Sequence, residues 1–533
     1  MIWHIIKKDW KLSWLMIIGV AALQWIWAAI ELRKNRLFLD FSWPQLRALN
    51  STILLYPIAL MASGLLIAVI VQQEAIPGVR QDWLTRPIQR WHLLLEKILF
   101  VVAAVQGPIL AADIFLGLAN GFPLRQTLAA AISRAVFLLP SFTLPVLALA
   151  SLTRNILEAI ISALIALLVC LFLALATLGG GMDNFRLLIQ PTWWSGEAWI
   201  VGAIKFALVP LGVGTILGVQ YFRRKTVLSR YLIVVFLLLM LSTSFLPWKT
   251  AFAMQQRLSS RPGSGVTTVL DFNPGAGRFH SPGGTSFKDN KDKMTVHVPL
   301  RVAGLPADSV LLDDRFDVCL IGTGGKTEYC GTGDTYKEFR IRKEGPDAGS
   351  EAQIYQEIDV PSAVYGRIKD QPLRLEINYS LTQWRLDKSY ALPAVGGDQR
   401  MPGLGRCTTH VSKPVDPTYA TLTCMQPGKG EPYGTECRSA FLENATTGQR
   451  NPTRFACYDP DYTPYFVGSY SVMTDFIENL DLRDPSDSWS AHFPVDRSQL
   501  SQSRVVVRLY QPTDHFTRQV VIPRITLKEW EAQ

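Results

Sequence analysis

Seven apolar stretches, about residues 12–30, 51–71, 98–119, 128–152, 156–180, 198–222 and 231–248, crowd the first half of this 533-residue chain, and no comparable run follows. A hydrocarbon layer about 30 Å thick is crossed by about 20 residues of helix. The spacing therefore predicts an α-helical, polytopic membrane domain of about seven spans over residues 1–248, a linker over 249–266 and a soluble domain over 267–533. The first stretch is long, Trp-rich and followed by further spans rather than by a small-residue cleavage site, so it is expected to remain as an anchor.

The net charge of +9 has a simpler reading than nucleic-acid binding, because Lys and Arg collect at span ends and set orientation. With the N-terminus inside, inner segments hold Lys7, Lys8, Lys11, Arg80, Arg86, Arg90, Lys97, Arg154, Arg223, Arg224, Lys225 and Arg230, whereas outer loops hold only Arg33, Lys34, Arg36, Arg47, Arg125 and Arg186. The N-terminus is thus expected in the cytoplasm. An odd number of spans then places the C-terminal domain outside.

Cysteine usage agrees with that placement. Cys170 sits alone in an apolar stretch, where it reads as a small packed hydrophobe. The other six, Cys319, Cys330, Cys407, Cys424, Cys437 and Cys457, all fall in the soluble half, an even set of the kind that staples extracytoplasmic domains. Fifteen connectivities are open in principle, but one pair follows from local geometry. If Gly324-Gly325 is a two-residue hairpin turn, Cys319 lies opposite Cys330, in a hydrogen-bonded register with Cα atoms about 5.5 Å apart. No C-x-x-C spacing occurs, and no metal site is expected.

Between the apolar stretches the polar segments carry the functional signals. Residues 1–12 alternate apolar and basic faces and read as an interfacial helix. The stretch Gly78-Val-Arg-Gln-Asp-Trp-Leu-Thr-Arg-Pro-Ile-Gln-Arg90 is basic and bears a tryptophan, and Pro87 predicts two short helical pieces rather than one rod. Gly179–Trp194 is too polar to cross and reads as a short outer or re-entrant piece. Asp113, Arg134, Glu158 and Lys205 are ionisable groups at or within spans. Asp113 and Arg134 are expected at similar depth, as a structural ion pair or as groups lining a translocation path, Glu158 as a helix-end partner of Arg154, and Lys205 as snorkelling or facing a dimer seam.

The soluble half shows period-two segments at Lys293–Leu300, Arg315–Ile321, Leu373–Tyr379, Arg504–Tyr510 and Gln519–Ile525, which predict a mainly β, sandwich-like fold with a looser cysteine-rich excursion over about 396–466. Its acidic groups, Asp313-Asp314-x-x-Asp317 and Asp459-x-Asp461, read as solvated turns. His280, His297, His410, His492 and His515 are scattered, and neither Gly-x-Ser-x-Gly nor His-Glu-x-x-His occurs, so no catalytic residue is expected. Gly325-Lys326-Thr327 lacks the glycine that a phosphate-binding loop needs five residues earlier, where Leu320 stands.

Residues 1 to about 222 resemble the permease subunits of bacterial type-2 ATP-binding-cassette exporters. The resemblance rests on the entry Lys7-Lys8-Asp9-Trp10-Lys11, then two spans, then Trp83-Leu84-Thr85-Arg86-Pro87-Ile88 and Leu93-Leu94-Leu95-Glu96-Lys97. It implies a six-span core in the bacterial inner membrane and a homo- or heterodimer of permeases, energised by separate ATP-binding subunits that carry the ATP and magnesium. The coupling role would fall within segment 78–97 on Gly78, Arg80, Trp83, Leu84, Thr85, Arg86, Pro87, Ile88 and Arg90, and a membrane-elbow role on Ile2 through Trp14. The seventh span and the large outer domain depart from that pattern. A second reading, a membrane-anchored extracytoplasmic binding or assembly protein, needs only one span and leaves the other six unexplained.

Overall fold

No proline and a single glycine, Gly19, interrupt residues 2–39, and in a computed structural model of the chain they form one helix, α1 (Ile2–Leu39). The structure describes residues 2–39, 55–73, 90–162, 198–243, 248–258, 268–276, 293–306, 308–333, 340–342, 351–411, 419–427, 436–451, 454–458, 473–481 and 497–531, with a few isolated positions besides. At 1.5 Å per residue α1 is about 57 Å long. The interfacial helix expected over residues 1–12 is therefore the beginning of this rod and not a separate element. Arg33, Lys34 and Arg36, expected in a loop, ride on its last turns, where Lys34 lies 3.6 Å from Glu31.

The helical region continues with α2 (Leu55–Gln72), α3 (Arg90–Val101), α4 (Gly107–Ala119), α5 (Leu124–Leu138), α6 (Leu144–Leu152), α7 (Ala198–Gly218) and α8 (Thr226–Thr243). Widened π-helical turns at Val102–Gln106 and Leu139–Thr143 join α3 to α4 and α5 to α6, and a third, Val219–Arg223, extends α7. Prolines explain the first two. Pro108, Pro140 and Pro145 each remove a ladder hydrogen bond and crowd the preceding turn, and the helix accommodates this by admitting an extra residue rather than ending.

Among the described residues five helical stretches are long and apolar enough to cross a membrane: Ile6–Arg36, Leu55–Gln72, Trp91–Ala119, Leu124–Leu152 and Ala203–Arg223. Of the expected span 156–180, residues 156–162 are helical and most of the rest lies outside the described residues. The seventh expected span begins earlier than the sequence suggests, and its apolar part, Thr226–Met240, rises about 22 Å, short of a full crossing. Ile17, Leu66, Ile70, Phe100, Val105, Leu147 and Val213 share one core that ties α1, α2, α3, α6 and α7 together. Part of the expected linker is also structured. Trp248–Leu258 forms α9, because Ala251 and Phe252 bury one face of it while Lys249 reaches Asp317 at 2.6 Å.

Fourteen antiparallel strands follow among the described residues: β1 (Val269–Phe272), β2 (Lys293–Ala303), β3 (Ser309–Ile321), β4 (Thr327–Gly333), β5 (Arg340–Arg342), β6 (Glu351–Pro361), β7 (Leu373–Pro393), β8 (Asp398–Met401), β9 (Gly405–Val411), β10 (Tyr419–Pro427), β11 (Glu436–Asn444), β12 (Arg454–Tyr458), β13 (Met473–Asp481) and β14 (Ser503–Ile525). The large sheet runs β12-β11-β14-β7-β3-β4, with β5 also on β3, while β1-β2-β6 and β13-β10-β9-β8 form smaller sheets. Two cores result. Val296, Leu300 and Ile358 of the three-stranded sheet meet Val318, Ile377 and Ile522, whereas Leu422 and Leu480 of the four-stranded sheet meet Leu392, Leu442 and Val507. The long strands β7 and β14 run through both. Much of the supposedly looser stretch 396–466 is thus strand, folded onto the second core.

Cys319 and Cys330 form a disulfide, as do Cys407 and Cys424. The first pairing was expected, but its geometry differs in detail. The hairpin closes through Gly322 and Lys326 with Gly325 at φ +75°, a three-residue loop that needs a residue tolerant of left-handed backbone. A shift between Leu320 and Ile321 then restores the register. The Cα atoms stand 4.2 Å apart, the spacing of a non-hydrogen-bonded pair rather than the hydrogen-bonded one expected.

The backbone register also sets Cys437 directly opposite Cys457 on neighbouring strands β11 and β12. Alkylation of the denatured, unreduced chain is accordingly expected to add one label, on Cys170, and seven labels after reduction. Three labels before reduction would show that Cys437 and Cys457 remain thiols.

Candidate functional site

The contacts within the helical region sort into a proximal end, where α1 begins, and a distal end against the β domain. At the proximal end Lys97, on the second turn of α3, donates to Asp9 of α1 at 2.5 Å and lies 3.8 Å from Glu96. All three are fully buried. One turn along α1 from Asp9, Ser13 accepts a hydrogen bond from Gln73 at 3.1 Å, and Gln72 donates to Thr153 at 2.8 Å. Gln220 reaches the Ser151 carbonyl at 3.2 Å, and Arg230 the Leu152 carbonyl at 3.2 Å.

The stretch between Gln73 and Arg90 is therefore bracketed by two contacts on the same few turns of α1. Gly78, Arg80, Trp83, Leu84, Thr85, Arg86, Pro87 and Ile88 lie within it, outside the described residues. Arg90 opens α3, so the part of the 78–97 segment from Arg90 onward is the start of a helix rather than a surface piece.

Midway along the bundle, Gln106 donates to Thr143 at 2.7 Å, joining two of the π turns. A buried amide or hydroxyl in an apolar setting requires such a partner. Toward the distal end Asp113 of α4 and Arg134 of α5 are ion-paired, both nearly fully buried. The Arg134 guanidinium also donates to the Tyr56 hydroxyl at 3.4 Å and lies over that ring at 5.8 Å. Trp27 of α1 packs on Tyr56 at 5.5 Å between ring centres. The pair thus connects four helices.

Glu158 differs from expectation. Its carboxylate accepts from the Arg154 backbone N–H at 2.7 Å and pairs with Arg230 at 2.9 Å, instead of bridging to the Arg154 guanidinium. The reason is local, since Asn155 accepts from the Glu158 N–H at 2.8 Å and the two side chains close a reciprocal cap on the start of that helix. Lys205 is half-buried on α7.

Beyond the distal helix ends, the four-stranded sheet touches the bundle. Met425 of β10 is buried with Leu116, Phe122, Ala130 and Ala131, and Leu32 of α1 packs against the same cluster. Arg400 of β8 lies over Phe122 at 5.9 Å. Gly121, at φ +81°, turns the chain between α4 and α5 and leaves room for that guanidinium, which an added Cβ would meet at 2.6 Å.

No family model matches the chain, and no curated protein matches it. Among solved structures it is similar to one described as pT26-6p, at 9% identity and a TM-score of 0.11, over 42% of this chain and 61% of that one. At so low a TM-score the likeness carries no argument about fold or function. The reading therefore rests on the residues themselves.

In the β domain the acidic and histidine groups are dispersed. Asp317 pairs with Lys249, and His297 lies 3.6 Å from Glu357. Among the described residues no group of three or more His, Cys, Asp or Glu is placed to hold a metal ion. His280, His492, Asp459 and Asp461 lie outside those residues.

His515 sits beneath α9, its Nδ1 2.8 Å from Thr382 Oγ1 and its ring edge-on to Phe252 at 6.4 Å. Burial pushes its imidazole down from 6.5 to about 4. Protonation then favours the unfolded chain, so stability is unaffected above pH 6.5 and falls as pH drops toward 4, by at most about 3 kcal/mol. The unfolding midpoint is expected to drop across that window, and His515→Gln to flatten the drop. An unchanged slope in the variant would assign the titration to another group.

Proposed function

We propose that the chain is the membrane permease subunit of an ATP-driven exporter of the ATP-binding-cassette type, driven by a separate ATPase through residues 78–90. The observation that carries this reading is the bracketing of that polar, Trp- and Arg-bearing stretch by two side-chain contacts to α1, one part-buried and one buried. A polar stretch whose described flanks meet at one end of an apolar bundle suits a surface that receives force. Leu211, Val227, Tyr231 and Leu238 are 60% or more exposed, and apolar patches of this extent favour a lipid surround over water. Buried charges within apolar helices are costly and by default functional, which a plain anchor does not require.

In this reading the N-terminus faces the cytoplasm, the β domain lies outside the bacterial inner membrane, two permeases pair, and ATP and magnesium belong to the partner. The test is affinity purification of the tagged full chain in mild detergent, with mass spectrometry of what accompanies it. A stoichiometric partner with a phosphate-binding loop is expected. Its reproducible absence from intact, folded protein would favour the membrane-anchored binding or assembly protein instead.

A further inference from the structure

We propose that α1 is a strut that carries displacement at the proximal end of the bundle to the outer β domain, with Asp9–Lys97 as its positioning contact. The inference rests on the coupling role of residues 78–90, but its geometry is independent of it. Near its start α1 is held by two contacts from opposite sides of that stretch, a part-buried one from Gln73 to Ser13 and a buried one from Lys97 to Asp9. Near its end, Leu32 joins the cluster that buries Met425 of β10. From Asp9 to Leu32 is about 35 Å of uninterrupted helix.

The neighbouring routes are less direct. α3–α4 and α5–α6 each pass through a π turn, where the ladder is widened and compliant, while α1 contains none. A buried ion pair suits a rigid joint, because sliding the two helices apart would strand a charge away from its counter-ion. Movement of α3 therefore has to take α1 with it. At the far end that movement reaches Met425 and the Arg400 contact on Phe122.

The experiment uses the full chain in detergent micelles, with Cys170→Ser and a reporter thiol, Phe122→Cys, under Arg400. Lys97→Met is expected to raise maleimide labelling of residue 122 about tenfold, the size of an ordinary coupling between sites. The exchanged pair, Asp9→Lys with Lys97→Asp, is expected to bring labelling back toward the parent. A second reporter, Val520→Cys, is buried in the first core of the β domain and is expected to stay protected in every variant, which separates strut movement from general unfolding.

Coupling is reciprocal, so the reverse arm places a charge in the distal cluster with Met425→Asp and reads a thiol at the buried Ser13 position, Ser13→Cys. If Lys97→Met does not accumulate, that arm decides alone. Parental labelling in a folded variant of either arm overturns the strut. Neither arm involves an ATPase, so silent arms in a chain that still binds one would overturn the strut and spare the exporter reading, and a responsive strut in a chain that binds none would do the reverse.

Discussion

Replacing Arg134 with leucine is expected to destabilise the helical region by about 3–5 kcal/mol, because Asp113 would be left buried without its counter-ion. The pair lies between α4 and α5 and reaches α2 through Tyr56, so the loss would spread over three helices. The double variant Asp113→Leu/Arg134→Leu removes both charges, and apolar replacement of a buried pair is often neutral or stabilising. It is expected to recover most of the loss in thermal unfolding monitored by size-exclusion of the detergent-solubilised chain. Transport then discriminates between roles. A stable double variant that still supports export would make the pair structural, and one that is stable but inactive would place it on the substrate's path. Equal stability of the single variant and the parent would show that the carboxylate finds another partner or water.

The second large effect concerns Trp83 and Arg86. Trp and Arg are the residue types that most often dominate a protein interface, each costing about 2 kcal/mol or more on truncation, roughly thirtyfold in affinity. Trp83→Ala with Arg86→Ala is expected to return a partner ATPase to its unstimulated rate while membrane insertion is unchanged. Normal stimulation by the variant would remove the coupling assignment from residues 78–90. Because this stretch is bracketed by contacts that do not involve Trp83 or Arg86, the fold of the bundle should be indifferent to both substitutions.

What could be read from the sequence, and what could not, divides along physical lines. The long apolar helices were legible because length and hydropathy suffice to mark them, although their ends were not. α1 runs ten residues or so past each expected boundary, since charged residues such as Lys7, Lys8 and Arg33 do not stop a helix that lacks proline. Strand β7 was legible only to Tyr379. From Ser380 through Gln383 every residue is buried, so alternation disappears where both faces of the strand are covered. Strand β14 was read as two pieces because Pro512 and Asp514 interrupt the pattern, and a bulge there lets one strand continue. The Asp9–Lys97 contact was not legible at all. Its partners are 88 residues apart, and each sits among other charges that read as ordinary span-end residues.

Strand β14 follows each of its sheet neighbours in the sequence, yet it lies between β11 and β7 in the middle of the large sheet. Until residues 503–525 arrive, β7 and β11 each present a long row of unpaired backbone amides and carbonyls. Exposed edges of this kind invite pairing with other chains, and contacts between distant parts of the sequence form slowly. Synthesis of the β domain thus passes through a stage at which β7, its second-longest described strand, is an open template. Chains shortened before residue 503 are expected to aggregate rather than yield a smaller folded domain.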